Sequence, residues 1–163
     1  PVMLNERQNI FMYDRKPNLH CIPIDLRTTT IVQALAKAPT FKPDVPTMYI
    51  WEGGSMYFDG ADAHQIIASL AHLMAQCSES MTWMDYVTRD VVENKTNLRE
   101  IEHFITSMRK MGEPFIGGIH DIEAFAHERG LRVIDDVSCA NYLGIDAKVD
   151  QQYRFCTLKA QRG

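Results

Sequence analysis

Two carboxylates stand where a sheet protein would place ligand chemistry. Asp25 follows Leu19-His20-Cys21-Ile22-Pro23-Ile24, and Glu52 follows Thr47-Met48-Tyr49-Ile50-Trp51. Both segments read as strands, and in open α/β sheets ligands bind in the crevice beyond the carboxyl ends of the strands. A strand-end Glu can also serve structurally, by satisfying the free N–H groups of the next helix. Six histidines supply groups that could act as bases near neutrality, but none falls in a recognisable triad. His64 and His72 lie on an amphipathic segment, while His120, in Gly117-Gly118-Ile119-His120-Asp121, is the one to test as a base and reads otherwise as a residue at a helix start. Cys21, Cys77, Cys139 and Cys156 are widely spaced, with no C-x-x-C and no C-x-x-H. Zinc-ligand spacing is therefore lacking, no metal site is expected, and the thiols read as buried and reduced.

The elements that must position these groups alternate. Residues 1–13 could form a helix that ends before Asp14-Arg15-Lys16-Pro17. Leu19–Ile24 is a short strand with Pro23 near its end, where a missing ladder donor is tolerated. Thr28 to Thr30 cap a short helix over Ile31–Ala38, which Pro39 stops. Thr47–Trp51 is apolar without alternation, as expected of a strand buried on both faces. Asp59, with Asp62 three residues on, opens a helix whose Ala63, Ile66, Ile67, Leu70, Leu73 and Met74 keep three-four spacing to about Gln76. Met81–Val87 is the next strand, and Asn97 with Glu100 opens a helix carrying Leu98, Ile101, Ile105 and Met108. A loop punctuated by Gly112-Glu113-Pro114 and Gly117-Gly118 leads to a helix over Ile122–Arg129, closed by Gly130. Leu131–Val137 is a strand, and after a loop of about fifteen residues Tyr153–Ala160 alternates like an antiparallel, half-exposed edge strand.

That order predicts an α/β fold, a mainly parallel sheet wrapped by helices with an antiparallel terminal strand. With 163 residues, 45% apolar and 23% charged, the chain is long enough for one ordinary core, and a single domain over 1–163 is the default. Net charge −4 and scattered Lys and Arg give no basic field for nucleic acid or anionic lipid. The longest apolar runs are far shorter than a bilayer span and no signal-peptide pattern opens the chain, so a soluble, cytoplasmic protein is expected. The nine methionines fall largely at core spacing and read as gap-fillers.

Three stretches together resemble the leucine carboxyl methyltransferase family, including its bacterial members that methylate small molecules. Pro46 to Phe58 looks like the family's strand followed by E-G-x-x-x-Y; Ile24-Asp25-Leu26-Arg27 is similar to the D-L-R that ends its third strand; and Gly112-Glu113-Pro114-Phe115, leading to Ala126–Val133, completes the set in the same order and spacing. The resemblance runs from about Leu19 to Ala160. It implies the carboxyl-terminal part of a Rossmann-like, doubly wound class I methyltransferase using S-adenosylmethionine, with S-adenosylhomocysteine as product. The family's Gly-rich turn after strand one and acidic residue after strand two have no counterpart in the first fifty residues. Pro1-Val2 resembles the family's residues just past that acidic position, as if the chain began directly after strand two; a processed natural start is the other reading. Removing strands one and two would leave strand three without a neighbour and open two buried edges, so an upstream segment or a complementary chain of roughly a hundred residues or more is expected to complete the domain.

By resemblance, the Asp25 carboxylate accepts a hydrogen bond from the adenine amine and Leu26 packs on the ring face. Arg27 is an anion contact near the cofactor or a solvated surface charge. Glu52, with Gly53 and Tyr57 at the family's spacing, contacts the cofactor's cationic end; Tyr57 lines the methyl-transfer pocket or merely packs. The implied activity is O-methylation of a carboxylate, or otherwise a hydroxyl, of a small metabolite or protein terminus. A carboxylate acceptor is ionised near pH 7 and needs no base. The rival reading is a non-catalytic half-domain acting as a regulatory or scaffold subunit. A nicotinamide-dependent Rossmann enzyme shares the alternation but requires G-x-G-x-x-G after strand one, which this sequence does not contain in that place.

Overall fold

The computed structural model describes residues 18–26 and 28–161. The expected helix over 1–13, and Arg27, lie outside the described residues. The chain forms two compact units, Pro1–Phe41 and Lys42–Gly163.

In the first unit, residues 19–24 form no strand. An extended segment becomes a strand only by pairing its N–H and C=O groups with a neighbour, and among the described residues these have none. The Asp25 carbonyl instead accepts the Thr28 and Thr29 N–H groups at 3.0 and 2.9 Å, closing a turn. Helix α1 (Ile31–Leu35) then opens on a capping box: Thr30 Oγ1 accepts the Gln33 N–H at 3.1 Å, and Gln33 Oε1 accepts the Thr30 N–H at 2.9 Å. The helix stops before Ala38 because Lys37 and Ala38 bond to Ala34 and Leu35 in tighter i→i−3 turns ahead of Pro39.

The second unit holds a four-stranded sheet of β1 (Met48–Trp51), β2 (Met81–Val87), β3 (Leu131–Ser138) and β4 (Tyr153–Ala160), in the order β1-β2-β4-β3. β1 and β2 are parallel, and β4 is antiparallel to both β2 and β3, so three strands run one way and β4 the other. The antiparallel strand is thus last in sequence but internal in the sheet, contrary to its expected edge position. Its alternation reflects one-sided burial: Cys156 and Leu158 are buried while the intervening residues are only half-buried.

Helix α2 (Gly60–Ala75) covers one face of the sheet. Asp59 Oδ1 accepts the Ala61 and Asp62 N–H groups at 2.9 and 3.0 Å, satisfying two of the donors every helix start leaves open. Ile66, Ile67, Leu70, Leu73 and Met74 form its buried stripe, and Thr82 Oγ1 reaches Met74 Sδ at 3.4 Å from β2. The opposite row of β1 is bare: Met48 and Ile50 are 48% and 66% exposed, which corrects the expectation of a strand buried on both faces. Every residue of β1 is aliphatic or aromatic, so no alternation could disclose that one row lacks a cover. Among the described residues the outer edge of β1 is also unpaired.

Beyond β2, α3 (Arg89–Val92) and α4 (Arg99–Lys110) bury Val91, Ile101, Ile105 and Met108 in a cluster with Met56, Val87 and Phe115. Asn97 does not cap α4. It adopts φ +55°, a left-handed conformation that Asn tolerates better than most residues, and Leu98 occupies the cap position. Helix α5 (Ile122–His127) begins at Asp121, whose carboxylate accepts the Ala124 N–H at 3.0 Å. The connection from β3 to β4 holds α6 (Cys139–Leu143), ended by Gly144 at φ +68°, and a 3₁₀ turn at Asp150–Gln152.

Candidate active site at the carboxyl end of the first strand

Glu52 and Gly53 turn the chain sharply as it leaves β1. Gly53 takes φ +63°, a conformation available cheaply only without a Cβ, and a Cβ placed there would meet nothing within 4 Å, so the outer side of the turn is open. Glu52 is exposed at its crest. The inner side is held by Asp85, which lies in β2 and is 2% exposed. Both oxygens of the Asp85 carboxylate accept the Gly53 N–H at 2.9 Å, and the Tyr153 hydroxyl donates to Oδ2. Ser55 Oγ donates to the Asp85 backbone carbonyl at 2.6 Å. Burial, and then the bond to Asp85 and its charge, hold the Tyr153 phenol well above its ordinary range, with Glu52 adding to the same effect.

Past this turn, a 3₁₀ turn over Ser55–Tyr57 joins two of the sequence motifs. The Met56 carbonyl accepts the Ile116 and Gly117 N–H groups, both at 2.9 Å. Tyr57, about one-third exposed, sets its ring edge-on to Phe115 at 5.2 Å, and Phe115 meets Phe104 of α4 at 5.4 Å. The Gly112–Phe115 segment therefore buttresses the Glu52 turn. Gly117 is required by contact: a Cβ there would collide with the Phe58 carbonyl oxygen and lie 2.7 Å from that of Ser55. Backbone cannot yield as a flexible side chain does, so Gly117→Ala is expected to lose about 2–3 kcal/mol of unfolding free energy, checked by urea denaturation.

The candidates read from the sequence divide between the two units. Glu52, Gly53 and Tyr57 share this turn in the second unit. Asp25, exposed, and Leu26, half-buried, belong to the first unit. His120 is exposed and comes after Ile119, which forms an isolated bridge to Thr88. Nearby Glu93 is a carboxylate that Lys95 chiefly, and Arg89 also, hold below the usual range. That setting, with Asp121 capping α5, fits the helix-start reading of His120. Asp85, Ser55 and Tyr153 were not anticipated. The available signal was Asp85 itself, an acidic residue inside the apolar run Met81–Val87, since a carboxylate at a sheet position is seldom buried without a fixed partner. Among the described residues no group of three or more His, Cys, Asp or Glu is placed to hold a metal ion, and no helix is long and apolar enough to cross a membrane.

A cavity of about 50 Å³ lies behind the turn, lined by Trp51, Ser55, Phe58, Met84, Tyr86 and Phe125 among others. It has room for roughly one or two waters.

A family model for leucine carboxyl methyltransferase matches residues 7–71. The matched span includes Asp25, Leu26, Arg27, Glu52, Gly53 and Tyr57 and ends before the Gly112–Phe115 segment, so the resemblance read from the motifs is borne out over that span. No curated protein matches the chain. Among solved structures, it is similar to a candidate methyltransferase from Thermobifida fusca YX, with TM-score 0.67 and 12% identity over 99% of this chain and 60% of that one. A DUF574 family protein from Streptomyces avermitilis MA-4680 gives TM-score 0.62 and 15% identity over 98% of this chain and 62% of that one. The mitomycin 7-O-methyltransferase MmcR gives 0.54 and 14% over 96% of this chain and 38% of that one. At these identities the likeness is one of fold, and the chain spans about 60% of the length of the first two.

Proposed function

We propose that the chain carries the carboxyl-terminal half of an S-adenosylmethionine-dependent O-methyltransferase site. The observation that carries the reading is the turn after β1, in which a buried carboxylate fixes a glycine of positive φ beside an exposed Glu52. The residues fit the group: a sulfonium and an ammonium favour a nearby negative charge, and the uncrowded outer side of Gly53 lets a ligand approach the backbone. Such a cofactor supplies, when bound, a methyl group activated by its sulfonium.

In this reading Glu52 orients the cationic end and Tyr57, steadied by Phe115, borders the acceptor side. Asp25 and Leu26 are assigned to the adenine end, and Arg27 to an anion contact, by the family resemblance alone. The chain's contribution is alignment and exclusion of water, which suffices for an in-line transfer. An acceptor carboxylate, of a small metabolite or a protein terminus, needs no base; an acceptor hydroxyl would. His120 lies among surface charges, which supports the first acceptor class.

The same proposal assigns a cover to the bare row of β1. A doubly wound sheet has helices on both faces, and here Met48 and Ile50 are exposed beside half-buried Trp83 and Phe155, whose rings stack at 5.7 Å. Further polypeptide, upstream or in a complementary chain, would pair the free edge of β1 and cover this row. Intact mass of the purified protein under denaturing conditions identifies such a chain.

Calorimetric titration of S-adenosylhomocysteine into the intact protein tests the function. Binding is expected, and Glu52→Ala is expected to weaken it about tenfold, the loss of one charged contact. If the protein shows no heat of binding at millimolar ligand, the methyltransferase reading of this chain is wrong.

A further inference from the structure

We infer that Asp85 is a positioning residue: its carboxylate, clamped by Tyr153, sets the Glu52–Gly53 turn and thereby the placement of Glu52 toward a bound cofactor. The inference rests on the proposed function for what Glu52 faces, and on geometry for the brace itself.

The brace is assembled from three strands. Gly53 leaves β1, Asp85 belongs to β2 and Tyr153 opens β4, and β4 pairs with β2 so that Phe155 lies opposite Asp85. The Gly53 N–H is shared between both carboxylate oxygens at 2.9 Å, while Tyr153 occupies Oδ2. Ser55 Oγ fixes the backbone of Asp85 at 2.6 Å. A sheet needs none of this to hold together. A carboxylate at 2% exposure costs desolvation that an apolar side chain would avoid, and here it is committed to one amide of the turn and to the Tyr153 hydroxyl that steadies it. Tyr153, half-buried against the cluster behind α4 and edge-on to Phe155 at 5.5 Å, is held on both sides and so keeps Oδ2 in register. The neighbouring residue, Glu52, carries the charge at the crest, and its direction follows the backbone that the Gly53 bond fixes.

Removing the brace should thus impair ligand placement more than folding. Asp85→Asn keeps the shape but weakens the acceptor, and about a tenfold rise in the dissociation constant for S-adenosylhomocysteine is expected, with Tyr153→Phe, which leaves the Gly53 bond in place, giving about threefold. The Gly53 amide should lose protection from hydrogen exchange in Asp85→Asn. Leu158→Ala serves as control, because it opens a cavity in β4 away from the turn and lowers stability without touching Gly53. Its affinity should remain within about twofold of wild type. Wild-type affinity in Asp85→Asn, unchanged Gly53 exchange, or an equal loss in Leu158→Ala would overturn the inference. Absence of ligand binding in the wild-type protein would instead overturn the proposed function, and the Gly53 amide would still report whether the brace exists.

Discussion

An Asp136→Ala variant is expected to lose about 3 kcal/mol of unfolding free energy, the magnitude associated with breaking a buried ion pair from one side. Asp136 on β3 and Arg154 on β4 are diagonal neighbours, since Asp136 pairs with Cys156 and Arg154 with Ser138, and their side chains are 19% and 25% exposed. Arg154 Nη2 donates to Asp136 Oδ2 at 2.6 Å and Nε to Oδ1 at 3.2 Å, a bidentate pair, while the Tyr86 hydroxyl also donates to Oδ1 at 2.9 Å. Truncating Asp136 strands a guanidinium and a buried phenol together. The partial exposure of both partners places the loss at the lower end of the buried range. Replacing both charges, as Asp136→Leu with Arg154→Met, should recover about half of it, because no unpaired charge then remains and only the Tyr86 hydroxyl lacks its partner. Urea denaturation of the two single variants and the double variant measures the coupling. An Asp136→Ala protein within about 0.5 kcal/mol of wild type would show that solvent screens the pair after all.

The parts of this architecture that were legible in the sequence are those fixed locally. α2 was readable because its cap, Asp59, and its apolar stripe at three-four spacing lie within one continuous segment. β2 was readable to the residue because Ser80 and Thr88 bound a run too short and too rich in aromatic and apolar side chains to be a helix. What escaped depends on partners remote in sequence. The Leu19–Ile24 segment has strand propensity but no ladder among the described residues, and propensity without a partner does not make a strand. β4 alternates as an edge strand does, yet its place between β2 and β3 is set by pairings between residues far apart in the chain. Asn97 is a good capping residue by type, and only the geometry of the approach shows it used in the left-handed region instead.

The candidate site divides in the same way. The Glu52 turn was marked by residue types, because a glycine after a strand-end acid has few bland explanations. Its support was not marked as such. Gly112–Phe115 was recognised by resemblance and Gly117 read as loop punctuation, but their contact with Met56 and Tyr57 required the loop to return across the end of β2. The buried acceptor, Asp85, acts at a distance of 32 residues from the amide it holds. Two motifs that look independent in sequence are thus one structure, a turn and its buttress.

Stability should fall steeply as the pH is raised above about 9, and Cys156 should account for a measurable part of the fall. Burial first, and then the charges of Asp136 and Asp85, push its thiol from about 9 to about 12, against a smaller opposing effect of Arg154. Tyr86 and Tyr153 are shifted in the same direction by burial and by their carboxylate partners. All three groups are protonated in the native state at pH values where the unfolded chain has lost the proton. The unfolded state then binds fewer protons, so the stabilisation is complete below the ordinary values and is lost as pH rises toward the folded ones, by up to about 1.4 kcal/mol per pH unit for each group. Cys156→Ala is expected to be less stable than wild type at pH 8, because it leaves a cavity opposite Met84, but to decline with a shallower slope between about pH 9 and 11. The native thiol at 1% exposure should also resist alkylation at pH 8, whereas the half-buried Cys77 and Cys139 react. Parallel pH profiles for the two proteins would mean that Cys156 ionises in the native sheet as freely as in the unfolded chain, and that β4 is not the closed interior strand its pairing describes.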